Sequence, residues 1–163
     1  MNFIGIITST KNEETLKKAI FQKLKEENIK SNIIVINEEN IESMKNIKFN
    51  SIIINKQNKI VEQRKDELKQ ILKNTKYLII NSDIYKKLDL VYNLKIIIIT
   101  YGYNLKATIT TSSINDEKIL LCLQRELITY NKSNIEPKEI YSDIINNDIY
   151  TTMAANATKL VYS

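Results

Sequence analysis

Short apolar runs alternate along the chain with stretches of helical spacing. Residues 3–7 (Phe-Ile-Gly-Ile-Ile) are apolar between polar flanks, the pattern of a central parallel strand covered on both faces. Leu16, Ala19, Ile20 and Leu24 then recur at helical spacing, which predicts a helix from near Lys11 to about Asn28. Thr10 followed three residues later by Glu13 fits a capping box at its start. Residues 33–36 and 49–54 read as further β-branched strands, with a short helix carrying Ile41, Met44 and Ile47 between them. Val61, Leu68, Ile71 and Leu72 mark the inner face of a helix over about 60–74. A fourth strand, 77–80, ends at Asn81-Ser82-Asp83. A short helix carrying Tyr85, Leu88 and Val91 and a fifth strand, 95–100, follow. This alternation predicts βαβ units on a parallel sheet, with right-handed crossovers and any ligand site at the carboxyl ends of the strands.

Beyond Tyr101-Gly102 the rhythm changes. Segments 107–112, 118–127 and 135–141 are extended with no long helix between them, and 130–134 has the composition of a hairpin loop. They predict antiparallel strands added at one edge of the sheet after residue 105. A helix from about 148 to 162 closes the pattern, with Ile149, Met153, Ala157 and Val161 on one stripe and Ala154-Ala155 keeping it thin. The expectation is a single α/β domain, 1–163: a three-layer P-loop- or Rossmann-like fold with a mainly parallel sheet.

Composition changes this picture little. Charged residues make up 26% and hydrophobic ones 43% of 163 residues, as in ordinary globular domains. The net charge of +5 comes from lysines dispersed along the chain, which argues for solvated faces and against a nucleic-acid partner. There is no histidine and a single cysteine, so the commonest general base, an internal disulfide and a cysteine-based zinc site are all excluded. Cys122 sits in the run Ile119-Leu-Leu-Cys-Leu123, where a buried inert thiol is expected. The longest purely apolar run, 96–99, is too short to span a membrane, and the N-terminus lacks a signal-peptide layout. A cytoplasmic location is the default expectation.

The turn after the first strand holds the candidate chemistry. A phosphate-binding loop uses glycines for close backbone approach, a lysine on the phosphates and a hydroxyl on magnesium. Here no glycine follows Gly5, and Asn12-Glu13-Glu14 stands where the lysine would be. Two carboxylates on a first helical turn complement the helix dipole and repel a triphosphate.

Four segments, in order, resemble the central ATP-binding domain of the Mur ligase family. Gly5-Ile-Ile-Thr-Ser-Thr-Lys-Asn-Glu-Glu-Thr15 lies where the family has G-x-T-G-T-N-G-K-T-T. Ile80-Asn81-Ser82-Asp83 looks like its N-A-D-D, and Ile98-Ile-Thr-Tyr-Gly-Tyr-Asn104 is similar to I-T-Y-G-F. Asn147-Asp-Ile-Tyr-Thr-Thr-Met-Ala-Ala155 resembles N-x-Y-N-x-L-A-A. The resemblance implies a fold built to bind ATP and magnesium and to activate a carboxylate as an acyl phosphate. It also implies an adenine contact at Asn81, with Asp83 keeping the family's spacing, and places Thr8, Ser9 and Thr10 at a vestigial phosphate loop. The departures are as informative. The loop lysine, inner glycines and hydroxyl are missing, Lys56-Gln57-Asn58 follows the third strand without Glu or His, and no part of these 163 residues resembles the family's two flanking domains. Asn81 and Asp83 also suit a plain strand-end turn that caps the next helix.

The expected function is therefore a non-catalytic binding or scaffolding module, a pseudoenzyme with a protein partner or a second copy of itself, no cofactor and no metal. The alternative is a sensor that binds ATP or ADP weakly. An enzyme of different chemistry finds no clustered acid pair beyond Glu13-Glu14, and nucleic-acid binding rests on charge alone.

Overall fold

The computed structural model describes residues 1–87 and 89–163. In chain order the elements are β1 (Asn2–Ile7), α1 (Glu13–Glu26), β2 (Ser31–Val35), α2 (Ile41–Met44), β3 (Ser51–Ile54), α3 (Ile60–Gln63), α4 (Lys65–Lys73), β4 (Tyr77–Asn81) and β5 (Ile97–Tyr101). Then come β6 (Ile109–Ile114), β7 (Lys118–Leu123), β8 (Leu127–Ile128), β9 (Asn134–Ile135), β10 (Lys138–Asp143) and α5 (Ile149–Tyr162). Eight strands form one sheet in the order β2-β1-β3-β4-β5-β6-β7-β10. Strands β1 to β6 run parallel, whereas β7 and β10 are antiparallel to their neighbours. The first of the three extended segments therefore prolongs the parallel sheet through β6, and only β7 and β10 are the expected antiparallel additions. Strands β8 and β9 pair with each other as a separate hairpin.

Strand alternation divides the interior into two cores. Ile4, Ile6, Ile53 and Ile79 point to a core under α1 and α5. Ile7, Ile52, Ile54, Leu78 and Ile80 point to a second core under α2, α3 and α4. With both faces covered, the central strands are apolar at almost every position. Gly5 lies within β1 rather than in a loop. A Cβ there would meet Ile52 Cδ1 at 2.5 Å, Ile36 Cδ1 at 2.7 Å and Phe49 Cε1 at 3.2 Å.

Helix α5 departs most from expectation. In place of one apolar stripe, every residue from 151 to 158 is buried. It packs along α1 and across β4 and β5, and its alanines permit the close approach. Its polar side chains are tolerated because the helix satisfies them. Thr158 Oγ1 donates to Ala154 O at 2.8 Å, Thr152 Oγ1 to Asp148 O at 2.8 Å, and Asn156 Nδ2 to Thr152 O at 2.9 Å.

Smaller corrections have local causes. No capping box forms at α1: residues 10–12 make a 3₁₀ turn and Asn12, the N-cap, turns its side chain inward. The helix expected over 60–74 breaks at Arg64, whose φ of −121° and ψ of 41° leave the helical region. Asp89–Val91 is a single 3₁₀ turn, while Leu88 of the expected helix lies outside the described residues. Cys122 is half-buried, in a strand flanked on both sides.

Replacing Gly5 with valine forces two packed isoleucines off their positions. Gly5→Val is expected to destabilise the domain by about 1–3 kcal/mol, read as a lower urea midpoint with unchanged slope.

Candidate functional site

Because β1 is flanked by β2 on one side and β3 on the other, the chain reverses direction across the sheet between them. In open α/β sheets the crevice outside the carboxyl ends at such a reversal is the preferred ligand seat. Here the chain's own side chains fill it. Thr8, just after β1, is buried and donates through Oγ1 to Asn12 Oδ1 at 2.7 Å. Asn55, just after β3, is fully buried and donates through Nδ2 to Asn12 Oδ1 at 2.9 Å and Thr151 Oγ1 at 3.3 Å. Asn12 Nδ2 donates to the same Thr151 hydroxyl at 2.9 Å and to Asp148 Oδ2 at 3.4 Å. Tyr101, at the end of β5, closes the cluster by donating to Asn55 Oδ1 at 2.7 Å. Complete burial pushes the Tyr101 hydroxyl well above its ordinary range, so it remains a neutral donor.

The start of α5 seals the crevice from above. Asp148 caps the helix by accepting from Thr151 N at 3.1 Å. Its other oxygen takes the Lys56 ammonium in an ion pair. Lys56 N donates to Thr8 Oγ1 at 3.1 Å, and Asn58 Nδ2 donates to Thr8 O at 2.7 Å. All four hydrogen-bonding positions of the Asn12 amide are occupied, as are both amide hydrogens of Asn55. An anion placed among them would find no amide hydrogen of Asn12 or Asn55 free to bind it. Beside this plug, a cleft of about 540 Å³ is lined by Ser9, Thr10, Glu13, Glu38 and Lys59 among others. Lys59 pairs with Glu38 at 2.9 Å, and the remaining carboxylates repel phosphate.

Asn81 and Asp83 sit elsewhere, at the carboxyl ends of β4 and β5. Asn81 is fully buried, and its Oδ1 accepts from Asp83 N at 3.1 Å and Ile84 N at 3.3 Å, the strand-end turn that Asx residues make. Its Nδ2 has no partner among the described residues. Asp83 clamps the following loop, accepting from Tyr103 N at 2.7 Å, Asn104 N at 3.1 Å, Asn104 Nδ2 at 2.7 Å and Tyr150 OH at 2.9 Å. Gly102 makes room for it, since a Cβ there would stand 2.5 Å from Asp83 Oδ1. Partial burial opposes the Asp83 charge, but the bonds from Asn104, Tyr103 and Tyr150 prevail and hold its carboxyl below the ordinary range. Burial, with this carboxylate alongside, pushes Tyr150 up to about 12. Ser82, Asp83, Lys86 and Lys106 line a separate cleft of about 600 Å³.

Five residues were singled out from the sequence. The structure brings Thr8, Ser9 and Thr10 together after β1 and Asn81 and Asp83 together after β4; Ser9 and Thr10 line one cleft and Asp83 another, while Thr8 and Asn81 are buried. Sequence reasoning missed Asn12, Asn55, Tyr101, Asp148 and Thr151. A signal existed in the lone polar Asn55 that ends the run Ser51-Ile-Ile-Ile54. Asn12 carried none, because it reads as one more polar residue of a helix start. Among the described residues no group of three or more His, Cys, Asp or Glu is placed to hold a metal ion. None of the described helices is long and apolar enough to cross a membrane.

Two measurements check this geometry. Asn12→Ala and Asn55→Ala should each destabilise by about 1–3 kcal/mol, because each strands buried partners. The double variant should lose less than the sum, with a coupling above about 0.5 kcal/mol in urea unfolding; strictly additive losses would mean independent bonds. For Asp83 the sign follows from its lowered carboxyl. Its contribution is complete above the unfolded value, ordinarily 3.8, and is lost as pH falls through the folded one. Asp83→Asn should therefore reduce stability at pH 7 and flatten the acid limb of the stability–pH curve below about pH 4.

Compared with known proteins, the chain matches no protein-family model, and no curated protein sequence matches it.

Proposed function

We propose that this chain is a non-catalytic binding module, a pseudoenzyme that keeps the architecture of a nucleotide-dependent ligase domain and has closed its phosphate seat. One observation carries the reading: the hydrogen-bonded cluster Asn12–Asn55–Thr151 fills the crevice between β1 and β3. The resemblance of residues 5–15, 80–83, 98–104 and 147–155 to the Mur ligase central domain supports it from the sequence side. Forming an acyl phosphate requires charge stabilisation on the transferring phosphoryl group. Lys56 and Lys59, which follow β3 beside the crevice, are committed to Asp148 and Glu38. A protein partner, or a second copy of the chain, is the expected ligand, in a cytoplasmic setting.

The second reading, a weak adenine-nucleotide sensor, rests on the unpartnered Nδ2 of Asn81. Adenine recognition by asparagine uses a donor and an acceptor together. The acceptor of Asn81 is already held by two backbone amides of its own turn, so half of the contact remains.

Thermal unfolding with millimolar ATP or ADP and magnesium tests both readings. The module reading expects no shift and no ATP-dependent phosphate release with any acyl acceptor. A ligand at about one hundred times its dissociation constant stabilises by about 2.7 kcal/mol, several degrees for a domain of this size. A shift of that order, abolished by Asn81→Ala, would replace the module with the sensor. Phosphate release would overturn both.

A further inference from the structure

Strand β2 forms one edge of the sheet. Strand β2 pairs only with β1. The bonds Asn2 N to Lys30 O and Ile36 N to Ile6 O, at 3.2 and 2.9 Å, fix which residues serve that ladder. By the alternation of a parallel strand, the even-numbered residues face β1, and Ser31, Ile33 and Val35 turn their backbone groups outward. Of these, the Val35 carbonyl is capped by Asn40 Nδ2 at 2.7 Å. The remaining outward groups form an open row.

A groove runs beside that row. Phe21, on α1, is 52% exposed, and cavities of about 350 and 450 Å³ flank it, both bounded by Phe21 and Ser31. Four lysines line them, Lys17, Lys18, Lys25 and Lys30, against a single carboxylate, Glu14. Glu14 pairs loosely with Lys18 at 3.7 Å, and among the described residues Lys17, Lys25 and Lys30 make no ion pair. An open strand edge, an exposed aromatic ring and concentrated positive charge therefore share one surface.

We infer that the β2 edge with the α1 groove is a docking site for an extended, acidic segment of a partner protein, which adds to the sheet as a ninth strand. This deepens the binding-module reading and rests on it. The backbone row supplies hydrogen bonds to any extended chain, and alternate side chains give the specificity. On the α1 side an apolar residue of the partner meets Phe21, and acidic neighbours two positions away on either side meet the lysines. A second copy docking edge to edge about a two-fold axis sets the same lysines against their equivalents, which disfavours self-association. An anionic membrane satisfies the charge but leaves the N–H and C=O row unpaired.

The probe is a capped nine-residue peptide with threonines on one face and, on the other, a central phenylalanine flanked by glutamates. Its counterpart carries lysines in place of the glutamates. Fluorescence anisotropy should show saturable binding of the acidic peptide that weakens with salt and at least tenfold weaker binding of the basic one. Phe21→Glu and the reversal Lys17→Glu/Lys25→Glu/Lys30→Glu, all at exposed positions, should each weaken binding at least tenfold without shifting the thermal midpoint by more than a degree or two. Hydrogen exchange should show the amides of Ser31, Ile33 and Val35 slowing when the peptide binds. Ser31→Pro removes an outward N–H at the first residue of a strand, where proline is accepted, and should weaken binding likewise.

No binding below about 1 mM, equal binding of the basic peptide, or unchanged exchange at those three amides overturns the docking site. So does concentration-dependent dimerisation lost in Phe21→Glu, or binding of phosphatidylserine vesicles without amide protection. These failures leave the closed phosphate seat untouched, whereas nucleotide turnover would remove the module reading itself.

Discussion

The crevice at the carboxyl ends of β1 and β3 depends on keeping two buried asparagine amides satisfied. An unpaired amide in a dry interior costs about as much as the net gain from several good hydrogen bonds. Asn12 and Asn55 therefore fix the positions of everything that serves them: the turn after β1, the end of β3, the Tyr101 hydroxyl and the first turn of α5. The result is a rigid joint where three loops and a helix meet. In related architectures such a meeting point is left open for a ligand. Here its donors and acceptors are turned on one another.

The opposite end of the sheet is tied by a different means. Tyr77, Tyr130 and Tyr162 cluster there, with ring centroids 6.4 Å apart for the first two and 5.5 Å for the last two. Their hydroxyls reach outward from the cluster: Tyr77 donates to Ile128 O at 2.7 Å, Tyr130 accepts from Asn50 Nδ2 at 2.6 Å, and Tyr162 bonds Ser51 Oγ at 2.8 Å. Lys76 lies over the Tyr130 ring at 4.6 Å, a favourable cation–π arrangement. The β8–β9 hairpin, too short to be stable by itself, is held by these contacts and by the bond from Tyr130 N to Val161 O. Helix α5 thus touches both ends: Thr151 in the asparagine cluster and Tyr162 in the tyrosine cluster.

The architecture was readable in the sequence because a sheet covered on both faces writes itself as unbroken apolar runs. Residues 3–7, 51–54 and 77–80 announce their strands without help from neighbours. Helix α5 was readable as a helix but not as a buried one. Its threonines and Asn156 look like a solvent face, and only the tertiary structure reveals that Thr152, Thr158 and Asn156 bond their own backbone while Thr151 serves Asn12 and Asn55. The site was less legible. Thr8, Asn81 and Asp83 could be named only through the resemblance, and the partners that decide what they do are distant in sequence. Thr151 lies 139 residues from Asn12, and no local pattern encodes that meeting. The corrected capping box has the same origin: Asn12 serves a long-range cluster in preference to its own helix.

A helix buried along most of its length, residues 149–162, also sets an order of events during synthesis. Strands β1 to β5 and the core beneath α2, α3 and α4 can assemble as the chain emerges, because their contacts are between neighbouring units. The other face cannot. Until α5 leaves the ribosome, Ile53, Ile79 and Ile99 lack part of their cover, Asn12 and Asn55 have no threonine to receive them, and the β8–β9 hairpin has nothing to lie on. Contacts spanning most of the chain are slow to form. The nascent protein therefore stays half-closed, one layer complete and the other open, until α5 arrives.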